Sequence, residues 1–93
     1  MSLSQFSIFN FQFPYGYRPV TTHAPPAVSI ITPYYNTGAV FLETAHSVLR
    51  QSLQQWEWLI VNDGSNDPAA LRALLPLRSA DARIRLIDQP NRG

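Results

Sequence analysis

The sequence predicts an α/β fold ordered strand, helix, strand, helix, strand, the first β-α-β-α-β half of a doubly wound domain. Three observations carry this expectation. Short apolar runs at residues 27–32, 56–61 and 83–88 are rich in β-branched residues or alternate in polarity. Between them lie two stretches with apolar residues at helical spacing. Each run then ends in a small polar loop, "PYYNTG", "NDGSND" or "QPNRG". Strands alternating with helices imply parallel pairing through right-handed crossovers. Sheets of this kind take ligands in the crevice beyond the carboxyl ends of their strands.

Residues 1–27 do not share that pattern. Phe9, Phe11, Phe13, Tyr15 and Tyr17 alternate with other residues, the period of a strand with one buried face. Pro14 and Gly16 interrupt it, which allows an edge strand at best. Two readings stand: an aromatic tail without fixed order, or an arm laid on a neighbouring domain or subunit. Pro19, Pro25 and Pro26, with Thr21, Thr22 and His23 among them, read as an extended linker. His23 has no companion ligand nearby and reads as a solvated histidine. The expected division is an extended or flexible arm and linker over 1–27, mobile unless an intermolecular contact orders it, and a folded portion over 28–93.

Within the folded portion, "AVSIIT" is a buried strand stopped by Pro33. From residue 39 to about 53, Phe41, Ala45, Val48, Leu49 and Leu53 recur on one helical face, with His46 at its side as a surface residue. "WEWLIV" is a second buried run. Asp67 before Pro68 is a helix start, the carboxylate capping and the proline in the first turn. Leu71, Leu74 and Leu75 form its apolar stripe, and Pro76 ends or kinks it. "RIRLID" is the third strand and "QPNRG" a turn. A complete domain of this kind buries both faces of such apolar strands, so this chain is expected to expose apolar surface that later helices would cover.

Composition excludes several classes. The 93 residues suffice for one small domain, and a hydrophobic fraction of 45% is ordinary for a folded one. Net charge is +1, from seven scattered arginines against six acidic residues. That footprint is too weak to suggest nucleic acid or an anionic membrane as partner. Without cysteine there is no disulfide framework, thiolate zinc site or cysteine nucleophile. No apolar stretch approaches the roughly 20 residues that span a bilayer. The start also lacks the charged and apolar regions of a signal peptide, which makes the cytoplasm the default location.

Asp63 stands where the second strand surfaces, and it has three readings. Asp63-Gly64 is a hairpin signal, but Asp67-Pro68 begins a helix where a hairpin needs a strand. A loop or capping carboxylate is the second reading, and a ligand-binding group the third. Four fragments bear on the choice. Pro33-Tyr34-Tyr35-Asn36 ends the first strand, and Ser47-Val48-Leu49-Arg50-Gln51-Ser52 lies on the first helix. Trp56-Glu57 leads into the second strand, and Asn62-Asp63-Gly64-Ser65-Asn66-Asp67 follows it. In this order and spacing they resemble family 2 glycosyltransferases of the Rossmann-like GT-A fold, over residues 28–93. The family pattern has Asp where this chain has Asn62, a departure expected to weaken the loop more than base recognition.

The resemblance implies roles for individual residues. Asp63 would accept the imide N–H of uracil, or the matching edge of another base, from a nucleoside-diphosphate sugar, most simply of UDP type. An acceptor-only carboxylate suits a charge-assisted bond of this kind. Pro33 and Tyr35 would form the wall for base and ribose, while Tyr34 is open between that wall and the core. Gly64 would let the backbone approach the ligand, and Arg92 would reach the diphosphate unless it is a solvated arginine. The implied divalent cation, magnesium or manganese, belongs to an Asp-x-Asp pair after a fourth strand, and the catalytic base lies further on. Asp81 and Asp88 form no such pair, so neither metal ligands nor catalytic residues are expected within this chain. The sequence therefore reads as the donor-binding front third of an inverting glycosyltransferase, inactive alone, with an exposed sheet edge able to self-associate. A dinucleotide-dependent oxidoreductase fits poorly, since "PYYNTG" offers one glycine where that fingerprint needs three. A protein-interaction module, or a nucleotide-binding protein without transfer chemistry, remains as an alternative.

Overall fold

The computed structural model of the chain describes residues 11–22 and 24–91. Phe6, Phe9, His23 and Arg92 lie outside the described residues. Strands β1 (Val28–Tyr34), β2 (Trp56–Asp63) and β3 (Ile84–Gln89) form one sheet in the order β1-β2-β3. Both pairings are parallel, with Ile30 opposite Trp58, Trp58 opposite Ile84 and Asn62 opposite Asp88. Helix α1 (Phe41–Arg50), entered by a 3-10 turn at Gly38–Val40, joins β1 to β2. Helix α2 (Pro68–Leu74), continued by a 3-10 turn at Leu75–Leu77, joins β2 to β3.

Both helices cover the same sheet face. Burial alternates strictly along β2: Trp56, Trp58, Ile60 and Asn62 are buried, and their neighbours are not. The buried set meets Phe41, Ala45 and Leu49 of α1 and Ala70, Leu74 and Leu77 of the second crossover in a single core. Phe41 links Tyr34 and Trp58, its ring edge-on to Tyr34 at 4.8 Å and stacked on Trp58 at 5.5 Å. The Trp58 indole N–H donates to Thr32 Oγ1 at 2.9 Å, so the largest core side chain buries no unmet donor. The other face is uncovered among the described residues, with Ile31 and Ile87 exposed. Both crossovers pack on one side, so burial alternates along the strands and apolar surface is left exposed on the other face, as the sequence reading expects.

Four boundaries differ from the sequence expectation. β1 runs through Pro33 instead of stopping there. It is an edge strand of this sheet, where a proline without an N–H is tolerated. The first α-helix ends at Arg50 rather than near Leu53, because Gln51 turns extended (ψ 150°). The Gln54 amide donates to the carbonyls of Gln51 and Ser52, which secures that break, and Leu53 is left exposed. Helix α2 buries Ala70, Ala73 and Leu74, leaving Leu71 and the following Leu75 exposed. Small alanines let this helix approach the sheet closely enough for Tyr34 Oη to donate to the Ala70 carbonyl at 2.8 Å. β2 and β3 each extend further towards their polar ends than the apolar runs, β2 through Asp63 and β3 through Gln89.

The described part of the arm is fastened to this core. Phe11, Phe13 and Tyr17 pack against it, and Phe13 and Tyr17 stack with ring centres 5.0 Å apart. Val20 carbonyl accepts from Ala82 N at 2.6 Å, and Tyr17 Oη donates to Asp81. Asp81 is buried and ion-paired with Arg83 at 2.8 Å. The Arg83 guanidinium also lies 3.9 Å from the centre of the Trp56 ring. The described arm therefore touches the core and the turn before β3 through Phe11, Phe13, Tyr17 and Val20, all intramolecular contacts. The reason is a buried carboxylate, supplied by the turn before β3, that needs the Tyr17 hydroxyl.

Candidate functional site

The carboxyl ends of all three strands meet at the loops after β1 and β2 and the start of the loop after β3. Asp63 is the last residue of β2 and pairs in register with Gln89 of β3. The Gln89 side-chain amide donates to Asp63 Oδ1 at 3.0 Å, which orients the carboxylate. Pro33, opposite Val61, is on the same sheet face as Asp63 by strand alternation. Tyr35, just past the end of β1, is half exposed. Tyr34 points to the opposite face and is 1% exposed; its hydroxyl bonds Ala70 and accepts from Gly38 N at 3.0 Å. This settles Tyr34 as a core residue.

Gly64 has a positive φ of +71°, and a Cβ there would lie 2.5 Å from Asn91 N. Its glycine is accounted for by two chain segments packing together, whatever else approaches it. Asn62, expected to weaken the loop, is buried and stitches it instead. Its Nδ2 donates to Asp88 Oδ1 at 2.9 Å while its Oδ1 accepts from Ser65 N at 3.2 Å. An amide carries both a donor and an acceptor, so it can bridge a carboxylate to a backbone N–H. Asp88 is gripped in turn by Arg78 through two bonds of 3.0 and 2.9 Å. Those bonds, and then the one from Asn62, hold the Asp88 carboxyl below the usual carboxylate range.

Asn36 is a second organiser that the sequence reading assigned no task. At φ +48° it occupies the left-handed region that asparagine tolerates. Its Oδ1 accepts from Asn66 N at 2.9 Å and Asp67 N at 3.0 Å, and its own N–H donates to Ser65 Oγ at 2.9 Å. The loop after β1 thereby holds the loop after β2, while Asp67 caps α2 through Ala69 N at 3.3 Å. Asn36 was visible within the Pro-Tyr-Tyr-Asn fragment; Gln89 and Asp88 become visible only through strand register. Among the described residues, no three His, Asp or Glu side chains gather as metal ligands.

Comparison with known proteins decides the family. The family model "Glycosyl transferase family 2" matches residues 29–93. The chain belongs to glycosyl transferase family 2. Among its relatives, the uncharacterized glycosyltransferase EpsJ of Bacillus subtilis is 44% identical over 68 residues, 73% of this chain and 20% of that protein. The O-antigen biosynthesis protein RfbC of Myxococcus xanthus is 35% identical over 69 residues, 73% of this chain and 5% of that protein. The family 2 chain therefore spans a fifth or less of these relatives. Its fold is similar to that of a mannosyltransferase from Pyrobaculum calidifontis solved in complex with GDP-Man and Mn2+. That likeness has a TM-score of 0.56 at 24% identity, over 86% of this chain and 24% of the other. The α/β architecture with a parallel Rossmann-like sheet is thus shared with that mannosyltransferase.

Proposed function

We propose that residues 28–93 are the donor-binding part of an inverting glycosyltransferase, with Asp63 reading the base of a nucleoside-diphosphate sugar. The observation that carries this is the position of Asp63, at the carboxyl end of the central strand and aimed by Gln89. Ligands of such sheets bind beyond these strand ends. A carboxylate offers about four acceptor positions, and the Gln89 amide takes one of them. Uracil and guanine each present an acidic ring N–H beside a carbonyl, and one carboxylate suits either. UDP sugars are the first candidates, and GDP sugars follow from the mannosyltransferase likeness. Pro33 and the half-exposed Tyr35 supply apolar surface for the base and ribose, and Arg92 a guanidinium for the diphosphate.

The described residues do not fit a divalent cation. Asp63 is engaged by Gln89, Asp88 by Arg78 and Asn62, and no cluster of three ligands exists among them. No step through a metal is assigned to this chain. Inversion needs a base that takes the acceptor's proton as its oxygen attacks opposite the departing diphosphate. No base and no cation ligand is assigned to the described residues, and we expect the 93-residue chain to transfer no sugar.

Calorimetric titration tests the reading. UDP or GDP should bind the full-length protein, and Asp63→Ala should weaken binding by about 1.5–3 kcal/mol, the scale of a hydrogen bond to a charged group. Asp63→Asn, isosteric but uncharged, should fall between. Unchanged affinity in a folded Asp63→Ala variant would remove the role.

A further inference from the structure

Asn62, Asp88 and Arg78 come from three different elements and form one chain of bonds beneath the loop after β2. Arg78 follows the 3-10 turn of the second crossover and holds Asp88 through both guanidinium nitrogens. Asp88 lies opposite Asn62 in the β2–β3 register and accepts from its amide. The other end of that amide holds Ser65 N, and the Ser65 hydroxyl receives Asn36 N from the loop after β1. Asn62 is 4% exposed, so its amide is shielded on the core side while its partner Asp88 stays half-exposed. The pair needs one amide facing one carboxylate. An aspartate at position 62 would set a second carboxylate against Asp88 within hydrogen-bond distance, and two adjoining carboxylates resist joint ionisation.

We propose that Asn62, Asp88 and Arg78 are positioning residues for the nucleotide-binding loop, which they fix so that Asp63 and Gly64 face the donor. Arg78 fixes Asp88, Asp88 fixes the Asn62 amide, and Asn62 fixes Ser65. This rests on the reading that the loop binds a nucleoside diphosphate. It also explains how the chain accommodates an asparagine at the first position of an otherwise acidic motif: the charge has a counterpart on β3, where it is neutralised by Arg78.

A reciprocal swap in the full-length protein tests it, read by Ser65 amide exchange and by UDP and GDP titration. Asn62→Asp should speed Ser65 exchange and weaken nucleotide binding, each by about tenfold, the scale of one lost charged hydrogen bond. Adding Asp88→Asn to that variant restores an amide facing a carboxylate in reverse, and should recover most of both losses. A double variant no better than Asn62→Asp alone would overturn the proposal, because the amide–carboxylate pairing would then not be what orders the loop. Should Asn62→Asp not fold, Asp88→Ala removes the same bond from a half-exposed side chain, and unaltered Ser65 exchange there would overturn it equally. If the parent protein binds neither nucleotide, the functional reading fails, while Ser65 exchange still decides whether the bridge orders the loop.

Discussion

Asn62 and Asp63 adjoin at the end of β2 yet point to opposite sheet faces, one into the core and one away from it. That alternation separates holding the loop from serving it. Gly64 completes the turn, and its constraint is steric as well as conformational. Gly64→Ala would place a methyl 2.5 Å from the Asn91 backbone at a φ of +71°. We expect it to cost about 1–3 kcal/mol in stability, visible as a lower denaturant midpoint. Asp67 has a separate duty, capping α2 through Ala69 N. Asp67→Ala should cost about 1 kcal/mol and leave nucleotide affinity within twofold; a large affinity loss without destabilisation would assign Asp67 to the binding group.

The arm and the turn before β3 form one element in energetic terms. Asp81 accepts from Arg83 and Tyr17, and Arg83 spans Asp81, the Gln54 carbonyl and the Trp56 ring. Truncating one partner leaves the other buried without compensation, so Asp81→Ala should destabilise by about 3–5 kcal/mol. Tyr17→Phe should cost about 1–3 kcal/mol by leaving Asp81 short of a donor, and amide exchange should show the arm near Tyr17 loosening. Burial pushes the Asp81 carboxyl up, but the bonds from Arg83 and Tyr17 outweigh it and the net shift is downward. Because the folded-state value is depressed, this stabilisation is complete above the ordinary carboxylate range and is lost as pH falls through the lowered value. Tyr17 is shifted the other way, upward through burial and then Asp81, so its share persists up to the ordinary phenol range and declines only in stronger alkali. An acid melting series should therefore show the arm releasing in strongly acidic solution, earlier in Tyr17→Phe. The three strands and two helices were legible because hydrophobic period and Asp67-Pro68 are local signals. The arm's attachment was not, since it depends on an ion pair 64 residues from Tyr17. Asp63 and Gly64 were legible through the resemblance, whereas Gln89, Asp88 and Arg78 join the site only once register is known.

At the scale of the molecule, the sheet has helices on one face and exposed Ile31 and Ile87 on the other. Among the described residues that face is uncovered and the outer edges of β1 and β3 are unpaired, which favours association. The 93-residue chain alone should self-associate in sedimentation; a monomer with sharp near-ultraviolet bands from Trp56 and Trp58 and cooperative melting would contradict this. We propose that the strand ends around Asp63 hold a nucleoside diphosphate. Backbone chemical-shift mapping of the full-length protein with UDP and GDP tests it most directly. The account predicts that amides of Tyr34, Tyr35 and 63–65 shift with a common saturation curve, while those of Val28, Trp56 and Ile84, at the opposite ends of the strands, stay in place. Shifts confined to those opposite ends, or none with either nucleotide at millimolar concentration, would contradict it.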